Sequence, residues 1–191
     1  MDNEYFSRYN KLREMVKACY VDYYILQEMK NFAEKFNKTE NHFNCYLKII
    51  NHHCRLTKEH LALTLWKLTD TQNKSNTIVT LSTYLRKIYN KSADTLSKEN
   101  RNYRDEQLTP IRRKMLAHND IENSGVELNV DELFKYLVDV KNALNRLCFE
   151  TIDNRAKPLS DTEIFSIGGN YQIRQHLLYS HLLEYDASNS N

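Results

Sequence analysis

Arg113 and His118 stand five positions apart in the segment TPIRRKMLAHND, residues 109 to 120. A guanidinium fork grips phosphate through parallel hydrogen bonds, and an imidazole moves protons in either direction near neutral pH. Cleavage of RNA by its own 2′-hydroxyl needs a base for the attacking hydroxyl, an acid for the 5′-oxygen that leaves, and a cation for the phosphorane. Arg113 would clamp the phosphate and His118 would move the protons, while Arg112, Lys114 and Asn119 hold flanking parts of the strand. On an ideal helix the two residues lie about 140° apart around the axis and about 7.5 Å apart along it, so one chain does not close the site. Two chains abutting through this helix would close it. A two-fold axis near His118 brings two copies of each residue into one cleft, with His118 as base in one copy and acid in the other. The plainer reading is a His that caps a helix C-terminus, where the helix dipole favours it, next to an ordinary basic surface.

Other clusters point less clearly. His42, Cys45, His52, His53, Cys54 and His60 crowd one stretch. All but Cys54 would share a helical stripe about 100° wide. His42 and His53 would still be about 16 Å apart along the axis, too far for one ion. No metal or cofactor is expected. Tyr5, Tyr9, Tyr20, Tyr23 and Tyr24 could stack bases, but aromatics at helical spacing more often pack against helices, and Trp66 reads the same way. Residues 83 to 118 carry nine Lys or Arg against four acids, a net of +5 in a chain whose total is +2.

The elements that position these residues are helices. Only 3 Gly and 2 Pro occur in 191 residues, too few for the turns of sheets and barrels or the glycine-rich loops of Rossmann and P-loop enzymes. The expected class is an all-α bundle of five to seven helices. Residues 1–157 form the bundle and 158–191 a C-terminal helical extension with a disordered tail. Apolar residues step by three or four from Leu12 to Phe36. A second helical pattern runs from Thr39 to Leu68, in one piece or two. TDTQNKSN, residues 69 to 76, reads as a loop and Ile78–Tyr89 as a short helix, with another from about Ser97. Thr109-Pro110 reads as an N-cap with Pro at the first helical position, restarting or kinking the chain. Asn129 with Glu132 opens a strong helix expected to reach Arg155, which would rank with the first among the longest. Ser160 with Glu163 starts the last segment, interrupted at Gly168-Gly169. The expected core includes Leu12, Val16, Leu26, Leu47, Ile50, Leu65, Leu137, Leu144 and Leu147. The N-terminus MDNEYFSRYN lacks an apolar leader region, no stretch is apolar enough for a membrane span, and the four Cys form no CxxC pair. A soluble cytoplasmic protein with reduced thiols is expected.

Arg113 and His118 have the Arg-x4-His form of the R-x(4–6)-H signature, followed by Asn119-Asp120. With LTLWKLTD at residues 63 to 70, a polar loop, a short helix and then IRRKMLAHND, the chain resembles the HEPN superfamily of helical RNA-processing domains. It looks most like the AbiU2-like branch tied to phage-abortive infection. The likeness covers roughly residues 5 to 150. It implies a metal-independent endoribonuclease of toxin or phage-defence type, with Arg113 and His118 as catalytic residues. RNA, with tRNA as one candidate, would be the substrate, a homodimer the working form, and an antitoxin or defence-system protein a further partner. Some members carry a Tyr two positions after the His that a nucleotidyltransferase modifies. Asp120 stands there, so that control is not carried over. The alternative is a catalytically silent module of the same kind that binds RNA, a nucleotide or a protein.

Overall fold

A computed structural model describes residues 2–36, 44–71, 75–118 and 128–170. They form an all-α bundle, and no strand occurs among them. The chain order is α1 (Asn3–Phe36), α2 (Asn44–Thr69), α3 (Ile78–Tyr89), α4 (Lys98–Tyr103), a π-turn (Arg104–Leu108), α5 (Thr109–His118) and α6 (Val130–Arg146). A last helix, α7, occupies 161–170 of the described residues.

The helical spacing of apolar residues on α1 buries Tyr5, Tyr9, Leu12, Val16, Cys19 and Leu26 along one face. α2 returns antiparallel to α1. Asp22 meets His60 and Met29 meets Cys54, so the pairing number falls on one helix as it rises on the other. α6 packs on both, burying Leu133, Tyr136, Leu137, Val140 and Leu144 against Leu61, Leu65 and Leu68 of α2. All 13 Tyr need a place in a chain so rich in them, and those of α1 are core or half-buried packing residues. Tyr23 stacks on Phe134 at 4.2 Å between ring centres.

Several expectations need correction. The helix from Asn129 stops at Arg146 rather than near Arg155, because Tyr5 takes over the groups that would continue it. Its hydroxyl donates to the Leu147 carbonyl at 2.8 Å and accepts from the Phe149 amide at 2.9 Å. Burial pushes the Tyr5 phenol up to about 12. Among the described residues α2 is therefore the second longest helix, 26 residues against 17 for α6. Ile50, near the N-terminal end of α2, is only half-buried. Leu47 has its side chain outside the described residues. The helix does not break at Gly168-Gly169 but runs through both. A Cβ on Gly168 would sit 2.6 Å from the Tyr24 ring, so the glycine serves a close helix approach rather than a hinge.

α7 runs parallel to α1. Glu163 pairs with Arg13 and Lys17, and Gly168 lies on Tyr24. Ala156, Leu159 and Ile164 are buried in the same core as the bundle helices. No helix among the described residues is long and apolar enough to cross a membrane.

Candidate functional site

α5 owes its position to the turn before it. Pro110 has no amide hydrogen to give the carbonyl four residues back, and its ring crowds that carbonyl. The chain accommodates it by widening into the π-turn, and the helix continues without a break. Thr109 is thus not an N-cap. Its backbone is helical, and both its amide and its hydroxyl donate to the Arg104 carbonyl, the hydroxyl at 3.1 Å.

Two anchors tie this run to the bundle. Trp66 Nε1 donates to Thr109 Oγ1 at 3.3 Å, and the Arg112 guanidinium lies 4.1 Å above the Trp66 ring centre. Arg104 turns inward, where Nη1 donates to the Thr69 carbonyl at 3.0 Å and Nε donates to Asp105 at 2.8 Å. Its guanidinium holds the Asp105 carboxyl below the usual carboxylate range. Thr69 Oγ1 donates to the Leu65 carbonyl and accepts from the Tyr136 hydroxyl at 2.9 Å. The end of α2, the π-turn and α6 are thereby joined by polar contacts, buried between Thr69 and Tyr136 and part-buried at Arg104.

α5 then carries the sequence-derived residues outward. Arg113 is exposed, and Arg112 is half-buried over Trp66 with the in-plane edge of its guanidinium still able to donate. α5 includes both Arg113 and His118, so they share one helix, His118 at its last residue. The side chains of Lys114 and His118, and all of Asn119, lie outside the described residues.

The histidine stretch is spread out. His60 Nδ1 is 2.7 Å from Asp22 across the α1–α2 contact. Burial raises the Asp22 carboxyl, and the hydrogen bond from His60 opposes that rise. His52 and His53 are exposed with ring centres 6.3 Å apart, and Cys54 donates to the Met29 sulfur. Among the described residues no three His, Cys, Asp or Glu side chains gather as metal ligands, and Cys19, Cys54 and Cys148 are free thiols. His42 lies outside the described residues, as does the Cys45 side chain.

Sequence reasoning missed Arg104, Thr69 and Tyr136 as the supports of this region. Arg104 looked like one more cation in a basic run, and a polar contact across 35 residues leaves no local signal. No protein-family model, curated protein or solved structure matches this chain.

Proposed function

We propose that the protein is a metal-independent endoribonuclease of toxin or phage-defence type, acting in the cytoplasm as a homodimer. The observation that carries this reading is the presentation of Arg113 in solvent on a helix that is anchored behind and ends at His118. The Arg-x4-His spacing, which resembles that of HEPN domains of the AbiU2-like branch, supports it. Arg113 binds the scissile phosphate, and Arg112 and Lys114, with Asn119, hold the strand on either side. His118 of one chain takes the 2′-hydroxyl proton, the oxygen attacks phosphorus, and His118 of the other chain protonates the departing 5′-oxygen. RNA is the substrate class, with tRNA a candidate, and an antitoxin or defence-system protein restrains or triggers the activity.

The divergence of Arg113 and His118 on an ideal helix supports a site shared between two chains. Residues five apart on one continuous helix are rotated by about 140°, which favours a phosphate held between the Arg113 of one chain and the His118 of the other. Light scattering is expected to give a dimer at micromolar concentration. Incubation with total tRNA is expected to leave 2′,3′-cyclic phosphate and 5′-hydroxyl ends, with and without a chelator, and no cut in DNA, which lacks the nucleophile. His118→Ala is expected to lose about 10²–10⁴-fold in turnover yet still bind RNA, while Arg113→Ala loses both. Products with 3′-hydroxyl ends, dependence on added metal, or full activity in His118→Ala would reject the mechanism. RNA binding without any cleavage would favour the silent binding module.

A further inference from the structure

A polar cleft lies away from α5, between α3, α4, α6 and the connection before α4, with a volume of about 690 Å³. Its cations come from three elements: Arg86 of α3, Lys98 and Arg101 of α4, and Arg146 of α6. Lys98 and Arg101 are three residues apart and so share one helix face. Arg146 is a wall rather than a free cation, because its guanidinium donates to the Asp94 carbonyl at 3.1 Å and the Thr95 carbonyl at 2.9 Å. Ser82 donates to the Ala93 carbonyl and the Ser97 amide donates to Asp139, so the connection is fastened to α3 and α6. The cleft is therefore preformed.

Arg86, Lys98 and Arg101 are exposed, and no carboxylate lies within ion-pair distance of them among the described residues. The Ser97 hydroxyl accepts from the Asn100 amide, which leaves its own hydrogen to donate. Such donors suit an anion. Asp94 and Asp139 also line the cleft and would repel a bare anion, yet carboxylates accept hydrogen bonds from sugar hydroxyls. No aromatic side chain lines the cleft, so nothing is present to stack a nucleobase. The volume lies within the ~300–1,000 Å³ that small ligands occupy. We infer that this cleft binds a small phosphorylated polyol of the sugar-phosphate class. Arg86, Lys98 and Arg101 take the phosphate, and Asp94 and Asp139 take hydroxyls.

Titration calorimetry of the full chain with ribose 5-phosphate, inorganic phosphate and ribose tests it. Ribose 5-phosphate is expected to bind saturably at one site, phosphate several-fold more weakly, and ribose not at all. Arg86→Ala and Arg101→Ala are each expected to weaken ribose 5-phosphate about tenfold, the loss of one charge-assisted contact. Asp139→Asn keeps an oxygen for the Ser97 amide but removes a charge that repels anions, so it should tighten inorganic phosphate and narrow or abolish the preference for ribose 5-phosphate over phosphate. Both arginines are exposed, and an unaltered helical circular dichroism spectrum certifies that each variant is folded. No saturable binding, equal affinity for phosphate and ribose 5-phosphate, or binding indifferent to both arginine substitutions would overturn the inference.

Discussion

Arg112 offers two properties that can be separated, a planar cation stacked on Trp66 and a positive charge beside Arg113. The guanidinium carbon is 4.1 Å from the ring centre and the residue is half-buried. The stack should then be worth about 1 kcal/mol, between the exposed and desolvated limits. Packing of one methylene of the stem adds about 0.8 kcal/mol, and the freed rotamers in the variant return about 1 kcal/mol. Arg112→Ala should therefore cost about 1 kcal/mol net, a fall of about 2–4 °C in melting temperature for a chain of this size. Arg112→Lys keeps the charge but not the planar fork, so it should show roughly half that loss. RNA affinity gives the second reading. Arg112→Ala should flatten the dependence of log affinity on log salt by about 0.7, the share of one single-strand phosphate contact, and Arg112→Lys should leave the slope alone. Trp66 is the only tryptophan in the chain, so its fluorescence reports unfolding and RNA binding beside α5 in one experiment. Full stability in Arg112→Lys would refute the stacking argument. An unchanged slope in Arg112→Ala would remove Arg112 from the path of the RNA.

Tyr5→Phe strands both the Leu147 carbonyl and the Phe149 amide and should cost about 2–3 kcal/mol in urea unfolding, against about 1 kcal/mol for Tyr136→Phe, which breaks a single bond to Thr69; equal losses would show that Tyr5 does not cap α6. Gly168→Ala should destabilise by about 1–3 kcal/mol through the Tyr24 ring, whereas Gly169→Ala, with nothing within 4 Å, should be neutral or stabilising. A hinge at these glycines would make the two substitutions alike in thermal unfolding.

Where local periodicity and caps govern, the fold was legible. The bounds of α3 follow from its apolar spacing and from the polar residues on either side, and Ser160 accepts from the Glu163 amide where a start was expected. Illegible features were those decided by a residue distant in the chain. The apolar pattern of α6 runs on through Leu147 and Cys148, yet the chain leaves the helix there, where Tyr5, 142 positions away, holds the Leu147 carbonyl and the Phe149 amide. Gly168 looks like a break because glycine disfavours helix, but Tyr24 makes it the residue that fits. Ile50 has the period of a core residue but is only half-buried near the N-terminal end of α2, and periodicity alone carries no record of where neighbouring helices lie. Arg113 and His118 could be named from type and spacing, while Trp66, the residue that fixes Arg112 beside them, reads only as an aromatic on an apolar face.

The run of nine cations between residues 83 and 118 is the feature that linear reading most misjudges. Arg101 and Arg112 are eleven residues apart, about three turns, and on an uninterrupted α-helix they would share one face within about 20°. The π-turn between them takes up one extra residue and rotates everything after it by about 100°. Arg101 accordingly faces the cleft with α3 and α6, whereas Arg112 lies on Trp66 of α2. Arg104, inside the turn, points into the bundle and spends its charge on Thr69 and Asp105. A single basic surface is thus divided into an interior anchor, a polar cleft and the exposed Arg113 on α5. Pro110 lies just after the π-turn that makes this division, at the point where its missing amide hydrogen leaves the α-helical bond to the Glu106 carbonyl unmade.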